Sequence, residues 1–181
     1  MNAVNFLIDT LFDLYLMVVL LRVWLQLARA DFYNPFSQFI VKATQPIVGP
    51  LRRIIPGYGG LDIATILFAF VVAAAKVIVL SAVLNYAFNP MVILVSGLFI
   101  LVTAIFKLLF WVLVIRAILS WVSKGQNPVE AVMIQLTEPL LSPIRRIIPS
   151  LGGLDLSMLV VLLGLQFLEK LVTDLLAQIL G

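Results

Sequence analysis

The chain is patterned in long apolar runs rather than in alternation. Four stretches stay mostly apolar over more than twenty residues: Val4 to Ala28, Leu61 to Leu84, Met91 to Val122 and Leu154 to Leu180. A helix needs roughly 20 such residues to cross the hydrocarbon core of a bilayer. The strands of a membrane barrel would instead alternate over about ten residues. The pattern therefore predicts an all-α membrane protein with four transmembrane helices. The third run is longer than one span, so it must tilt or emerge. The first run is interrupted by Asp9 and Asp13 and carries no Lys or Arg before it, so it reads as a retained span rather than a cleavable leader.

Two long segments of mixed character separate the first span from the second and the third from the fourth, and they are versions of each other. Thr44 to Asp62 reads TQPIVGPLRRIIPGYGGLD, and Thr137 to Asp155 reads TEPLLSPIRRIIPSLGGLD. Twelve of the nineteen positions are identical at an offset of 93. Asn34-Pro35 matches Asn127-Pro128 at that offset, and Arg22 matches Arg116 at 94. The chain thus reads as a single membrane domain, 1–181, built from two tandem units, 1–90 and 91–181, each a span, an elbow and a span. Parallel units of this kind are expected to be related by a pseudo-twofold axis along the membrane normal.

The prolines of each copy (46, 50 and 56; 139, 143 and 149) predict that no continuous helix runs through either segment. What remains is a short apolar turn, Ile54-Ile55 or Ile147-Ile148, beside the paired arginines Arg52-Arg53 or Arg145-Arg146. Such a segment is too short to cross and belongs in the interface, with isoleucines at the acyl boundary and guanidiniums at phosphates. Asp62 and Asp155 stand at the start of the second and fourth spans, where a carboxylate caps the first N–H groups or pairs with a neighbouring arginine. Two readings stay open for these residues: an elbow that only anchors and turns the chain, or a surface that docks a lipid headgroup or a cytoplasmic partner.

The doubled motif P-(L/I)-R-R-I-I-P-x-x-G-G-L-D, set between apolar spans over essentially the whole chain, resembles the YggT family, also called YlmG. The resemblance implies a small integral membrane protein of bacteria and plastids with no known enzymatic activity. It also implies a role among those connected with the family: cell-division neighbourhoods, plastid nucleoid distribution, cytochrome complex assembly and survival of osmotic stress.

Charge adds a direction. Arg29, Lys42, Arg52, Arg53, Lys124, Arg145 and Arg146 all lie in the two long segments, while the N-terminal tail and the turn from Asn85 to Pro90 hold no Lys or Arg. By the positive-inside rule both elbows are cytoplasmic and both termini periplasmic, in a bacterial inner membrane. The net charge of +3 then belongs to a face touching anionic lipid rather than to a nucleic-acid patch.

Ionisable residues inside spans are costly and need a reason. Asp13 lies nine residues before Arg22, and Lys107 nine before Arg116; Lys76 lies fourteen after Asp62, and Glu169 fourteen after Asp155. Equivalent positions therefore carry opposite signs twice over. The expectation is that Asp13, Lys76, Lys107 and Glu169 face the bundle axis and neutralise one another across the two units. Pairing for registry, an ion or proton pathway, and pairing with a partner's helix are the three uses such a quartet can have. Asp9 shares a face with Asp13, Lys170 is spaced to pair with Asp174, and Arg22 and Arg116 are placed to snorkel. Trp24 and Trp121 suit the inner interface, Trp111 suits packing, and the small residues Ala69, Ala73, Ala74 and Ala75 suit close helix approach.

Composition removes most chemistry. Hydrophobic residues make up 63% of the chain and charged ones 12%, against about a quarter charged in a soluble domain. There is no cysteine and no histidine, which removes thiolate nucleophiles, imidazole bases and the common zinc and haem ligands. No phosphate-binding glycine loop, metalloprotease helix or nucleophile elbow is present. The expectation is a protein that is not an enzyme and carries no cofactor or metal. Its partners are membrane lipids and a membrane or cytoplasmic protein, not nucleic acid, and a second copy of itself stays open. Its first functional reading is an organiser or assembly factor working through the basic elbows. The alternative is a small ion-handling protein of osmotic adaptation working through the intramembrane quartet.

Overall fold

The computed structural model describes residues 3–123, 127–148 and 156–180. Every regular element among them is helical: α1 (Ala3–Leu27), α2 (Pro35–Ile54), α3 (Ile63–Val83), α4 (Pro90–Val122), α5 (Pro128–Ile147) and α6 (Leu156–Leu180). Four of the six, α1, α3, α4 and α6, are long and apolar enough to cross a membrane. At 1.5 Å per residue, the 33 residues of α4 reach about 50 Å, well beyond the roughly 30 Å hydrocarbon core.

Local chemistry sets the boundaries. Asn34, Asn89 and Asn127 each precede a proline at the first helical position, and each accepts from the N–H two residues on, at 2.9, 3.0 and 2.9 Å. At the other ends of α1 and α3, Arg29 (φ 50°) and Asn85 (φ 56°) take the left-handed conformation. Ala30 N–H then reaches back to the Leu25 carbonyl and Tyr86 N–H to that of Ser81, both at 2.9 Å. This is the glycine-type helix stop built without glycine. After α2, Tyr58 and Leu61 exchange both backbone hydrogen bonds across Gly59 and Gly60, whose φ values of 61° and 85° give a tight two-residue reversal.

The prolines do not break the elbows. Pro46 and Pro50 lie inside α2, and Pro139 and Pro143 inside α5. Spaced four apart, they share the outward face of their helix, so the carbonyls deprived of a partner point away from the bundle. The opposite face, Ser37, Ile40, Thr44 and Val48 in α2, is buried and holds the helix in place. Pro56 does mark a stop, two residues after α2 ends. Each elbow is therefore a twenty-residue amphipathic helix at one end of the bundle, not a short turn.

The spans α1, α3 and α4 pack on one another, α6 lies against α4, and α2 and α5 touch across the end of the bundle. The core runs from Leu16, Val19 and Leu20 of α1 to Phe68, Ala69, Val72 and Ala73 of α3 and Leu101, Ala104 and Leu108 of α4. Ala69 and Ala73 are fully buried, as the small-residue face predicted. At the α3–α4 crossing a Cβ on Gly97 would stand 3.3 Å from the Ala74 Cα, so glycine allows this approach. The two units are not packed alike. α3 lies against α4, but among the described residues α6 makes no comparable packing on α1. At the positions of Ala73 and Ala74, α6 carries Gln166 and Phe167, too large for the same approach.

Candidate functional site

The elbow end of the bundle is held by two buried arginines. Arg22, 3% exposed, leaves α1 sideways and donates to Thr44 Oγ1 and Gln45 Oε1 of α2, both at 2.7 Å, and to the Val41 carbonyl at 3.4 Å. Arg116 of α4 repeats the arrangement with α5, donating to Thr137 Oγ1 and, at 3.0 Å, to Glu138 Oε2. These arginines do not snorkel to the surface: α2 and α5 cover them. The sequence held a signal for their partners, since each copy of the motif begins with the threonine that the guanidinium binds.

The paired arginines of the motif divide their work. Arg52 grips Asp62, with Nε 2.9 Å from Oδ2 and Nη2 on the same oxygen, and it also donates to Gln26 Oε1 at 2.9 Å. Asp62 is buried and also caps α3, accepting from Thr65 N–H at 3.2 Å and from the Thr65 hydroxyl. Burial alone would push its pKa up. The hydrogen bonds from Arg52 and Thr65 outweigh that and hold it below the usual carboxylate range. In the second elbow Arg145 donates to Glu138 at 3.2 and 3.3 Å. Asp155 lies outside the described residues.

Arg53 and Arg146 point outward. Each stands beside an isoleucine that is almost bare: Ile54 is 78% exposed and Ile147 80%. Tyr33, Tyr58 and Trp121, each more than four-fifths exposed, lie in the same end region of the chain path. An exposed cation next to exposed aliphatic and aromatic surface is what a lipid interface accommodates. Trp24 is half-buried, and Trp111 is 51% exposed rather than packed inside.

The intramembrane charges assemble differently from the expected quartet. Lys76 of α3 is buried and pairs with two carboxylates of α1, Asp13 at 2.5 Å and Asp9 at 3.1 Å. Lys107 of α4 reaches Asp13 at 4.0 Å. Asp9, Asp13, Lys76 and Lys107 sum to zero, so Asp9 occupies the role expected of Glu169. A cavity of about 210 Å³ opens beside Asp13, Lys76, Thr103 and Lys107. Glu169 lies on α6, half-exposed, beside Gln166, Lys170 and Thr173. It has no ion pair within 4 Å among the described residues, and neither do Lys170 and Asp174 with each other. The reason is the packing asymmetry: among the described residues α6 packs on α4 and α5, with no comparable packing on α1 or α3.

The described residues hold no cluster of three or more acidic groups spaced for a metal. The CCB3/YggT family model matches residues 1–83 and 95–176. A Vibrio alginolyticus protein described as an uncharacterized protein in the proC 3' region is 60% identical, covering 99% of this chain and 98% of its own. The uncharacterized protein YggT of Escherichia coli K12 is 51% identical over 97% of this chain and 92% of its own, and the uncharacterized PA0392 of Pseudomonas aeruginosa 45% over 99% and 93%. No solved structure matches the chain.

Proposed function

This chain belongs to the CCB3/YggT family, and from that premise we propose that it is a non-enzymatic organiser or assembly factor of the bacterial inner membrane. Its two amphipathic elbows act on the cytoplasmic side, in the neighbourhood of cell-division or cytochrome assembly machinery, and both termini are periplasmic. The orientation is supported by the seven basic residues in the elbow segments and their absence from the opposite turn. The observation that carries the reading is the duplicated pair at the last turn of α2 and α5, Arg53 with Ile54 and Arg146 with Ile147, exposed in both copies. Arg52 is engaged with Asp62, so the outward arginines are the ones free to meet a headgroup or a partner.

A second reading rests on the cavity beside Asp13, Lys76 and Lys107: a small ion-handling protein of osmotic adaptation. Two readouts separate them, ion flux in liposomes holding the purified protein and the set of proteins that co-isolates in mild detergent. The first reading expects no flux, and a co-isolated set lost in Arg53→Ala/Arg146→Ala but kept in Lys76→Met. Flux that disappears in Lys76→Met and survives the arginine changes would transfer the assignment to the second.

A further inference from the structure

A cavity of about 410 Å³ opens between the end of α1 and the flank of α2, lined by Arg22, Gln26, Phe32, Val41, Gln45 and Arg52. Arg22 is buried, yet its three hydrogen bonds go to a hydroxyl, an amide oxygen and a carbonyl, none of them charged. A guanidinium carries five N–H donors, so two remain. The carboxylate that acts on Arg22, Asp62, does so only at longer range and is itself gripped by Arg52, so Arg22 is a buried cation with no direct ion pair, an expensive arrangement.

The second unit shows what completes it. At the offset of 93, Glu138 stands where the first unit has Gln45, and Arg145 where it has Arg52. The Glu138 carboxylate lies between two arginines, 3.0 Å from Arg116 and 3.2 Å from Arg145. The second unit thus carries its own oxyanion between the paired guanidiniums, whereas the first presents a neutral amide and a cavity. We propose that the first unit binds a phosphate-bearing anion in this cavity, between Arg22 and Arg52, in the place that Glu138 fills in the second. Arg52 holds Asp62 with Nε and Nη2, so its Nη1 and the two remaining donors of Arg22 are what would meet the phosphate oxygens. The cavity lies at the elbow end of the bundle, where lipid headgroup phosphates are at hand, and the same group is also offered by free phosphate. The site is independent of the elbow reading, because Arg53 and Arg146 take no part in it.

The test uses the purified full chain in detergent with three probes: phosphatidylglycerol, phosphatidylcholine and inorganic phosphate. Bound stoichiometry is read by native mass spectrometry and the thermal midpoint by scanning. The wild type is expected to take up one phosphatidylglycerol or one phosphate and to be stabilised by it, with phosphatidylcholine weaker. Preference for the lipid assigns the source to a headgroup, and a response to phosphate alone assigns it to a soluble anion. Gln45→Glu, which copies the second unit, should stay folded and weaken binding about tenfold or more. Gln38→Glu, the same charge change two turns away along α2, should bind as wild type. Glu138→Gln should open a second site and raise the stoichiometry to two, a gain of function that does not depend on how Gln45→Glu folds. The proposal is overturned if neither anion outperforms phosphatidylcholine, or if Gln45→Glu and Glu138→Gln both leave the stoichiometry at the wild-type value.

Discussion

Arg22 and Arg116 cross from a span to an elbow in the same way, but Arg22 meets the Gln45 amide at 2.7 Å and Arg116 the Glu138 carboxylate at 3.0 Å. In both, the guanidinium also holds the threonine that opens the motif. That double grip fixes an amphipathic helix across the end of the bundle despite two internal prolines. It also frees the second arginine of each pair to face outward. The elbows are thus rigid surfaces, not loose connectors.

Asp62 joins two tasks, the grip on Arg52 and the cap of α3. Asp62→Ala should destabilise the protein by about 1–3 kcal/mol, from the lost cap and the lost charge-assisted bonds. Asp62→Asn should keep the cap and lose less. The Asp62 pKa is lowered in the fold, so its contribution is complete above the unfolded carboxylate value of about 3.9 and is lost as pH falls through the lower folded value. Unfolding in mixed micelles should therefore show a steeper acid limb in wild type than in Asp62→Ala. Equal slopes would place the acid sensitivity elsewhere.

Lys76 sits between Asp9 and Asp13, so its removal leaves two carboxylates facing apolar surface. Lys76→Met should cost about 3–5 kcal/mol, the loss that follows when one partner of a buried ion pair is removed. Lys76→Asp combined with Asp13→Lys should recover part of that loss. Lys76→Glu combined with Glu169→Lys should be no better than Lys76→Glu alone, because α6 packs on α4 and α5 rather than on α3 among the described residues. Rescue by the Glu169 swap, measured as folded yield in detergent, would contradict this geometry.

Gly97 lets α4 close on Ala74 of α3. Gly97→Val should push the helices apart and destabilise by about 1–3 kcal/mol. Gly164 of α6, which has open space where its Cβ would be, should accept the same change. Thermal midpoints of the two variants decide the matter: equal losses would mean that the α3–α4 crossing is not tight.

Arg29 pays a conformational penalty at the end of α1, with φ at 50°. Arg29→Gly should stabilise by about 1 kcal/mol, because a left-handed residue with a side chain costs about that much. A lower midpoint for Arg29→Gly would show that the Arg29 side chain contributes more than its backbone loses.

The four spans were legible because continuous apolar length leaves little choice of structure in lipid. The doubled motif located both elbows, and the cap at Asp62 followed from its place before an apolar run. Two things were hidden. Local proline arguments undervalued the buried face of Ile40, Thr44 and Val48, which keeps α2 helical through Pro46 and Pro50. Offset arithmetic paired Lys76 with Glu169, but equivalence in sequence does not fix packing. Ala73 and Ala74 admit a close neighbour where Gln166 and Phe167 do not, and Asp9, on the first span, was nearer. The partners of Arg22 and Arg116 were written in the motif as Thr44 and Thr137, yet only the covering helices reveal their use.

The chain contains no cysteine, so single cysteines can be placed without background. The most direct measurement is the depth and sidedness of a fluorescent label at Ile54→Cys and at Ile147→Cys, read in bilayers by lipid-borne and aqueous quenchers. Both labels should sit at the headgroup–acyl boundary, at matching depth and on the same side of the membrane. A label deep in the hydrocarbon, one wholly in water, or the two on opposite sides would contradict the account.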